Sequence, residues 1–262
     1  MKATWNVFRS SFNTHLRLTL VRPMFQIALI TQPLVMATIA YMVYRRTGEE
    51  RDFISFVVLG AGIAGIWSGI AFSSAGDIDR ERFYGTLSTI FSAPSPLITV
   101  LLGKIMANGL LSSLSLAISF VFSSVVLRIS LYLPHPLAFG LALLVFLVAI
   151  NLFALTLSSI FLLSRSATIM RNFLEYPLLI VTGVFFPLEA LPGWLQPLGW
   201  PVPLTWGAKA LRWTVQAQWN KFAFWEALGI EVGLAALYLV LSLILFRLIE
   251  RRVRVTASLD VY

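Results

Sequence analysis

The sequence predicts an all-α integral membrane protein: six transmembrane helices, preceded by an amphipathic interfacial helix and interrupted by an outer re-entrant helical hairpin. Three observations carry this. Of 262 residues, 58% are hydrophobic and only 12% charged, where soluble chains carry roughly 25% charged and 45–50% apolar residues. The mean hydropathy is +0.83. The apolar residues gather in runs of about 20 or more, the length a helix needs to cross a bilayer core. No run alternates with period two, which disfavours a β-barrel.

Residues 1–23 precede the first apolar run. Trp5, Phe8, Phe12, Leu16 and Leu20 recur at helical spacing, with Arg9, Asn13 and Arg17 on the shoulder. That is a basic amphipathic helix, lying in the inner interface or packing on a soluble partner. It does not read as a cleavable signal peptide, because basic residues are spread through it and the apolar run begins late.

The spans are placed at 24–44, 53–76, 97–127, 136–163, 168–186 and 226–246. The third and fourth are longer than a crossing requires, which predicts tilt or extension past the lipid. In span two, Ala61, Gly65, Gly69 and Ser73 recur every four residues, a small face that lets helices approach closely. In span three, Asn108, Ser112, Ser115, Ser119 and Ser123 share a face. Such a stripe either bridges neighbouring helices or lines a path.

With the N-terminus inside, the inner side holds Lys2, Arg9, Arg17, Arg22, Arg80, Arg82, Lys104, Arg165, Arg171, Arg247, Arg251, Arg252 and Arg254. The outer side holds only Arg45, Arg46, Arg51, Arg128, Lys209, Arg212 and Lys221. The positive-inside rule therefore puts both termini in the cytoplasm, with 247–262 as a tail. Glu175 and Glu226 are expected in first helical turns, where the dipole favours an acid. The net charge of +8 fits loops facing an anionic leaflet rather than nucleic acid.

Two connections stand out. Residues 77–96 place Asp77, Asp79, Arg80, Glu81 and Arg82 ahead of Phe83, Tyr84 and Gly85, then a short apolar helix stopping before Pro94. A charged, aromatic inner turn suits docking to a soluble partner. Residues 187–225 hold five prolines and six of the eight tryptophans. They are too apolar for a free loop and too broken for a span. They read as a proline-interrupted hairpin at the outer interface, or as a plain aromatic belt.

Chemistry is sparse. His15 and His135 are the only histidines and there is no cysteine, which leaves little to hold a metal or attack a substrate. No phosphate-cradling Gly-x-x-x-x-Gly-Lys-Ser/Thr occurs, so energy must come from a partner or a gradient. Lys104 and Glu231 are the charges inside apolar runs, and each is expected to reach an interface. A gradient-driven carrier is disfavoured because no buried acid is expected at a span centre.

Taken together these residues resemble type-2 ABC exporter permeases, the group containing the daunorubicin-resistance and nodulation-factor export subunits. The resemblance rests on Glu81-Arg82-x-x-Gly85-Thr86-Leu87, Pro94 and Leu102-Gly103-Lys104. A second block runs from Gly183-x-x-Phe186-Pro187-Leu188-x-x-Leu191-Pro192-x-Trp194-Leu195-Gln196 through Pro203-Leu204-Thr205 to Ala210-Leu211-Arg212. It implies a single ABC-2 transmembrane domain over 1–262 in a bacterial inner membrane. Two copies, or one copy and a similar chain, would give twelve spans among membrane lipids, above two separate ATP-binding subunits. Those subunits would hold the ATP and Mg and do the hydrolysis, leaving this chain without a cofactor or a catalytic role.

In that scheme residues 77–96 are the coupling helix, with Asp77, Asp79, Arg80, Glu81, Arg82, Phe83, Tyr84, Gly85, Thr86 and Leu87 at the docking surface. Residues 1–23 are the connecting helix. Gly65, Gly69, Phe72, Ser73, Val181, Phe185 and Phe186 border the translocation path. Pro187, Leu191, Pro192, Trp194, Pro203, Thr205 and Arg212 belong to the extracellular hairpin. The cargo would be amphipathic: a drug, lipid or lipid-linked glycan. The rival readings are a non-transporting scaffold, a membrane-embedded lipid or glycan transferase, and a permease that imports or moves an ion.

Overall fold

The computed structural model describes residues 2–44, 54–85, 97–128, 133–163, 167–216 and 218–256; for residues 2, 3, 24, 44, 54, 55, 72–79, 82, 163, 167, 168, 171, 250 and 252–256 only the backbone is described. The elements are α1 (Lys2–Val21), α2 (Pro23–Tyr44), a π-helical turn (Ile54–Leu59) running into α3 (Gly60–Phe83), α4 (Leu97–Ser112) and α5 (Leu114–Val125). They continue as α6 (Pro136–Leu163), α7 (Ala167–Val181), a 3-10 turn (Leu188–Ala190), the single turn α8 (Gln196–Gly199), α9 (Pro203–Val215) and α10 (Lys221–Thr256). Among the described residues there is no strand.

Among the described residues, four stretches are long and apolar enough to cross a membrane: Phe25–Val43, Leu97–Val125, Pro136–Leu162 and Lys221–Ile249. These correspond to expected spans one, three, four and six. Expected spans two and five are represented among the described residues by the shorter apolar helical runs Phe56–Ala71 and Asn172–Val181. The reason at span five is local. Gly183 adopts φ +67°, a left-handed conformation that ends a helix, so residues 182–186 are not helical. At span two the helix itself is long, but its far end is the charged segment.

That segment also departs from expectation. The chain does not turn at residue 76; α3 continues as helix through Phe83 and turns at Tyr84–Gly85, where Gly85 has φ +66°. The expected short helix after Gly85 falls on residues 86–96, outside the described residues. Span six was also placed too narrowly, since α10 begins at Lys221 and runs to Thr256.

The core forms around α3. Its residues Ala61, Ile63, Ala64, Ile66 and Ile70 are wholly buried and Trp67 nearly so, as expected of a helix that is apolar on all sides. It packs against α2, α4, α5, α6 and α7. The small face of span two meets the hydroxyl stripe of span three. A Cβ on Gly65 would lie 2.7 Å from Ser115 Cβ, and one on Gly69 would strike Ser112 Oγ. All five polar residues of that stripe are buried, and Ser119 Oγ donates to the carbonyl of Val58 at 2.8 Å. Of the two readings of the stripe, bridging between helices is what these contacts show.

A second sheet of contacts joins α6, α9 and α10. Trp67 meets Phe153 with ring centroids 5.8 Å apart, and Phe153 meets Tyr238 edge-on at 4.9 Å. The Tyr238 hydroxyl donates to the carbonyl of Pro201 at 2.6 Å.

Candidate functional site

At the charged end of α3 three helices converge. α1 lies along α4 at very short range: a Cβ on Gly103 would sit 2.9 Å from the Phe8 carbonyl oxygen and 3.0 Å from Ser11 Cβ. Ser11 Oγ donates to the carbonyl of Val100 at 2.7 Å. One turn on, Thr19 Oγ1 reaches Asn108 Oδ1 at 3.4 Å, and the Asn108 amide nitrogen lies 2.8 Å from His15 Nε2. With the threonine donating to Oδ1, the amide NH2 faces the imidazole, whose Nε2 then accepts.

This pairing places the polar side of α1 inward. His15 and Thr19 are buried, whereas Trp5 is 62% and Leu20 44% exposed. The ends of the apolar stripe, Trp5 and Leu20, face outward, Phe8, Phe12 and Leu16 are half-buried, and the side-chain bonds to span three come from Ser11, His15 and Thr19.

Lys104, expected to extend toward an interface, instead forms an ion pair with Glu81. Its Nζ lies 2.5 Å from Glu81 Oε1, with both side chains less than a quarter exposed. Glu81, Arg80, Tyr84 and Lys104 line one side of a cavity of about 720 Å³ whose other walls include Asn6, Ser10, Thr14, His15 and Arg22. Beyond it, Phe83 and Tyr84 stand exposed and meet edge-on at 5.3 Å. The side chains of Asp77, Asp79 and Arg82 lie outside the described set, as do residues Thr86 and Leu87 altogether.

Of the residues assigned to a path, Gly65 and Gly69 line a second, small cavity together with Phe25, Ala28, Leu29, Gln32, Ser68 and Glu175. Phe185 lies instead beside Gly60, at the opposite end of α3 from Glu81. Val181 ends α7, its carbonyl against Gly199. Phe186 is half-buried in the turn that follows, and the side chains of Phe72 and Ser73 are not described.

Glu175 is more than two turns into α7 and only 6% exposed, not in a first turn. Glu231 corrects a second expectation. It does not reach an interface: it is fully buried among α6, α9 and α10, and neither carboxylate oxygen has a hydrogen-bond partner among the described residues. Gly207 leaves room for it, since a Cβ there would approach Glu231 Oε1 to 2.6 Å. The sequence showed Glu231 inside an apolar run and Glu175 at the start of one, but not that their side chains turn into the bundle.

The proline-rich segment folds against this bundle. Pro187 precedes the 3-10 turn, the Leu191 carbonyl accepts from Gln196 Nε2 at 3.0 Å, and Pro192 and Trp194 are exposed. Pro203 starts α9 at a position where a missing N–H costs nothing. Thr205 Oγ1 donates to the Gly199 carbonyl at 2.7 Å. Arg212 Nη2 donates to the carbonyls of Gly183 and Val184 at 2.8 and 2.6 Å, with its guanidinium 4.0 Å from the Phe56 ring centroid. Arg212 thus ties α9 to the end of α7 and to the start of the π turn.

Among the described residues, no three His, Asp or Glu side chains are grouped to hold a metal. The profile of the ABC-2 type transporter family matches residues 7–215. The chain belongs to that family of multi-pass membrane permeases. A comparison with curated proteins gives no match.

Proposed function

We propose that this chain is the membrane subunit of an ATP-driven exporter of the daunorubicin-resistance and nodulation-factor export type, moving an amphipathic cargo outward across a bacterial inner membrane. Two copies, or one copy and a similar chain, form the path, and separate ATP-binding subunits dock on the cytoplasmic side. Family membership supports this reading, and the charged end of α3 is the observation that carries it. There a core helix continues past its apolar run into exposed Phe83 and Tyr84. Glu81 fastens this end to span three through Lys104. A surface so built passes a push from a soluble subunit into the membrane.

In this scheme residues 77–96 are the coupling segment and α1 is the connecting helix. The helical run Ile54–Phe83 and α7 complete six spans with both termini cytoplasmic. The turn and helices of 187–225 cap the outer side as a re-entrant hairpin, and Gly65, Gly69, Phe72, Ser73, Val181, Phe185 and Phe186 border the path. ATP-driven closure of the subunits draws two coupling segments together and switches the cavity from inward- to outward-facing. Transport follows because cargo binds the two states unequally.

The test is a pulldown of tagged chain from its native membrane, with ATPase assay of what co-purifies, beside Glu81→Ala/Arg82→Ala. A co-purifying ATP-binding subunit that is lost or uncoupled in the double variant is the expected result. Absence of any ATPase partner in mild detergent overturns the reading and favours a membrane scaffold.

A further inference from the structure

The expectation that no span carries a buried acid fails at Glu231. It stands about 15 Å along α10 from Lys221, half the depth of a bilayer core of about 30 Å. The residue is wholly buried, and neither carboxyl oxygen has a partner among the described residues. Its neighbours close in tightly. A Cβ on Gly207 of α9 would lie 2.6 Å from Glu231 Oε1 and would strike the Phe146 ring of α6. Phe146, Ala208, Leu211, Ala227 and Leu228 belong to the same buried apolar core.

We infer that Glu231 is a proton-binding site, and that the bound proton latches α9 onto α6 and α10. A neutral carboxylic acid survives in an apolar wall at the cost of an unmade bond. A carboxylate there needs a partner or water, and this packing supplies neither. A proton is the ion that fits, because among the described residues no other acid or histidine is grouped with Glu231 to hold a metal.

The charged and titratable groups on the packed elements are engaged or turned away. α6 has none in its sequence, and His135 ahead of it lies against Trp219. On α9, Lys209 is exposed and sits over Trp206, while Arg212 serves the Gly183 and Val184 carbonyls. On α10, Lys221, Glu226 and Arg247 are exposed, and the Tyr238 hydroxyl donates to Pro201. On α4, Lys104 pairs with Glu81.

The element that responds is α9. Its approach is tied to α10 at Tyr238 and its middle rests on Glu231, so the two helices run antiparallel. Loss of the proton leaves an unmatched anion against Gly207, and parting of α9 lets water reach it. The closed form therefore binds the proton and the open form releases it, so raising the pH favours opening. One proton gives at most about a tenfold change in that equilibrium per pH unit.

The experiment uses the full chain in lipid nanodiscs and does not depend on the exporter reading. Ala208→Cys places a thiol at a wholly buried position beside Gly207, and Gln218→Cys supplies an exposed reference. Labelling by a water-soluble maleimide is read as the ratio of the two rates, which cancels the pH dependence of the thiols themselves. The ratio is expected to rise about tenfold or more between pH 6 and pH 9, and to stay at its low-pH level in Glu231→Gln. Infrared spectra of the wild type at neutral pH should show a protonated-acid carbonyl band that Glu231→Gln lacks. Glu231→Leu, apolar like its surroundings, serves in both measurements if Glu231→Gln does not give monodisperse protein. A ratio independent of pH in the wild type overturns the latch, as does a rise that persists without the acid. An infrared band unchanged by the substitution overturns the proton site.

Discussion

Glu81 and Lys104 stand 23 residues apart in sequence and 2.5 Å apart in space, joining the last turn of α3 to the second turn of α4. The pair is neither fully exposed nor fully buried. Its loss should cost between the sub-kcal value of a surface pair and the 3–5 kcal/mol of a buried one, about 1–3 kcal/mol. Glu81→Lys is expected to lower thermal stability and uncouple the ATPase of a bound partner, and Lys104→Glu to do the same. The double swap should recover most of both. Recovery of stability without recovery of coupling would mean that Glu81 acts on the partner itself rather than through Lys104.

Gly69 presses its bare Cα against Ser112. Gly69→Ala should destabilise the detergent-solubilised chain by about 1–3 kcal/mol, the usual cost of overpacking. Ser112→Ala removes the closest atom and should restore part of that loss. A melting temperature unchanged in Gly69→Ala would show that the two helices separate easily.

Arg212 satisfies two carbonyls at the turn after α7. Arg212→Ala should cost about 1.5–3 kcal/mol, the range for bonds involving a charged group. Arg212→Lys should rescue little, because an ammonium lacks the planar fork and stacks poorly on Phe56. Hydrogen exchange at residues 184–190 would report the loosening directly.

The chain has no native cysteine, which makes cross-linking unambiguous. Ser11 Cβ lies 3.0 Å from the position a Cβ would take on Gly103, about half an ångström inside the 3.5–4.5 Å of a disulfide, so α1 must back off α4 slightly for a bridge to close. Ser11→Cys/Gly103→Cys should therefore oxidise to an internal bridge in membranes. Free thiols after mild oxidation would remove α1 from α4.

What the sequence made legible follows from how membranes sort side chains. Span four was placed at 136–163 and α6 occupies those residues, because an all-apolar run bounded by Pro136 leaves little freedom. α1 reads as an amphipathic helix at the interface, but the residues by which it meets span three are not those of its apolar stripe. Apolar periodicity finds the face that avoids water, and beside a bilayer that face can point to lipid. Ser11, His15 and Thr19 are the face that meets protein, as small and polar residues do between membrane helices. The small face of span two was found for the same reason, through glycines rather than through hydropathy. Glu175 and Glu231 were mislocated because depth in a bundle depends on the neighbouring helices. Nothing in the local sequence shows that Gly207 clears space for a carboxylate on another helix.

In the proposed transport cycle the close contacts of Gly65 with Ser115 and Gly69 with Ser112 would act as a fulcrum. From Gly69 the rod extends about 21 Å to Phe83 and about 14 Å to Gly60, at 1.5 Å per residue. The longer arm lies on the side of Glu81 and Lys104, the shorter on the side of Phe185. A rigid rocking of α3 therefore trades amplitude for force: about 3 Å of travel at the charged tip becomes about 2 Å at the other end, delivered with half again the thrust.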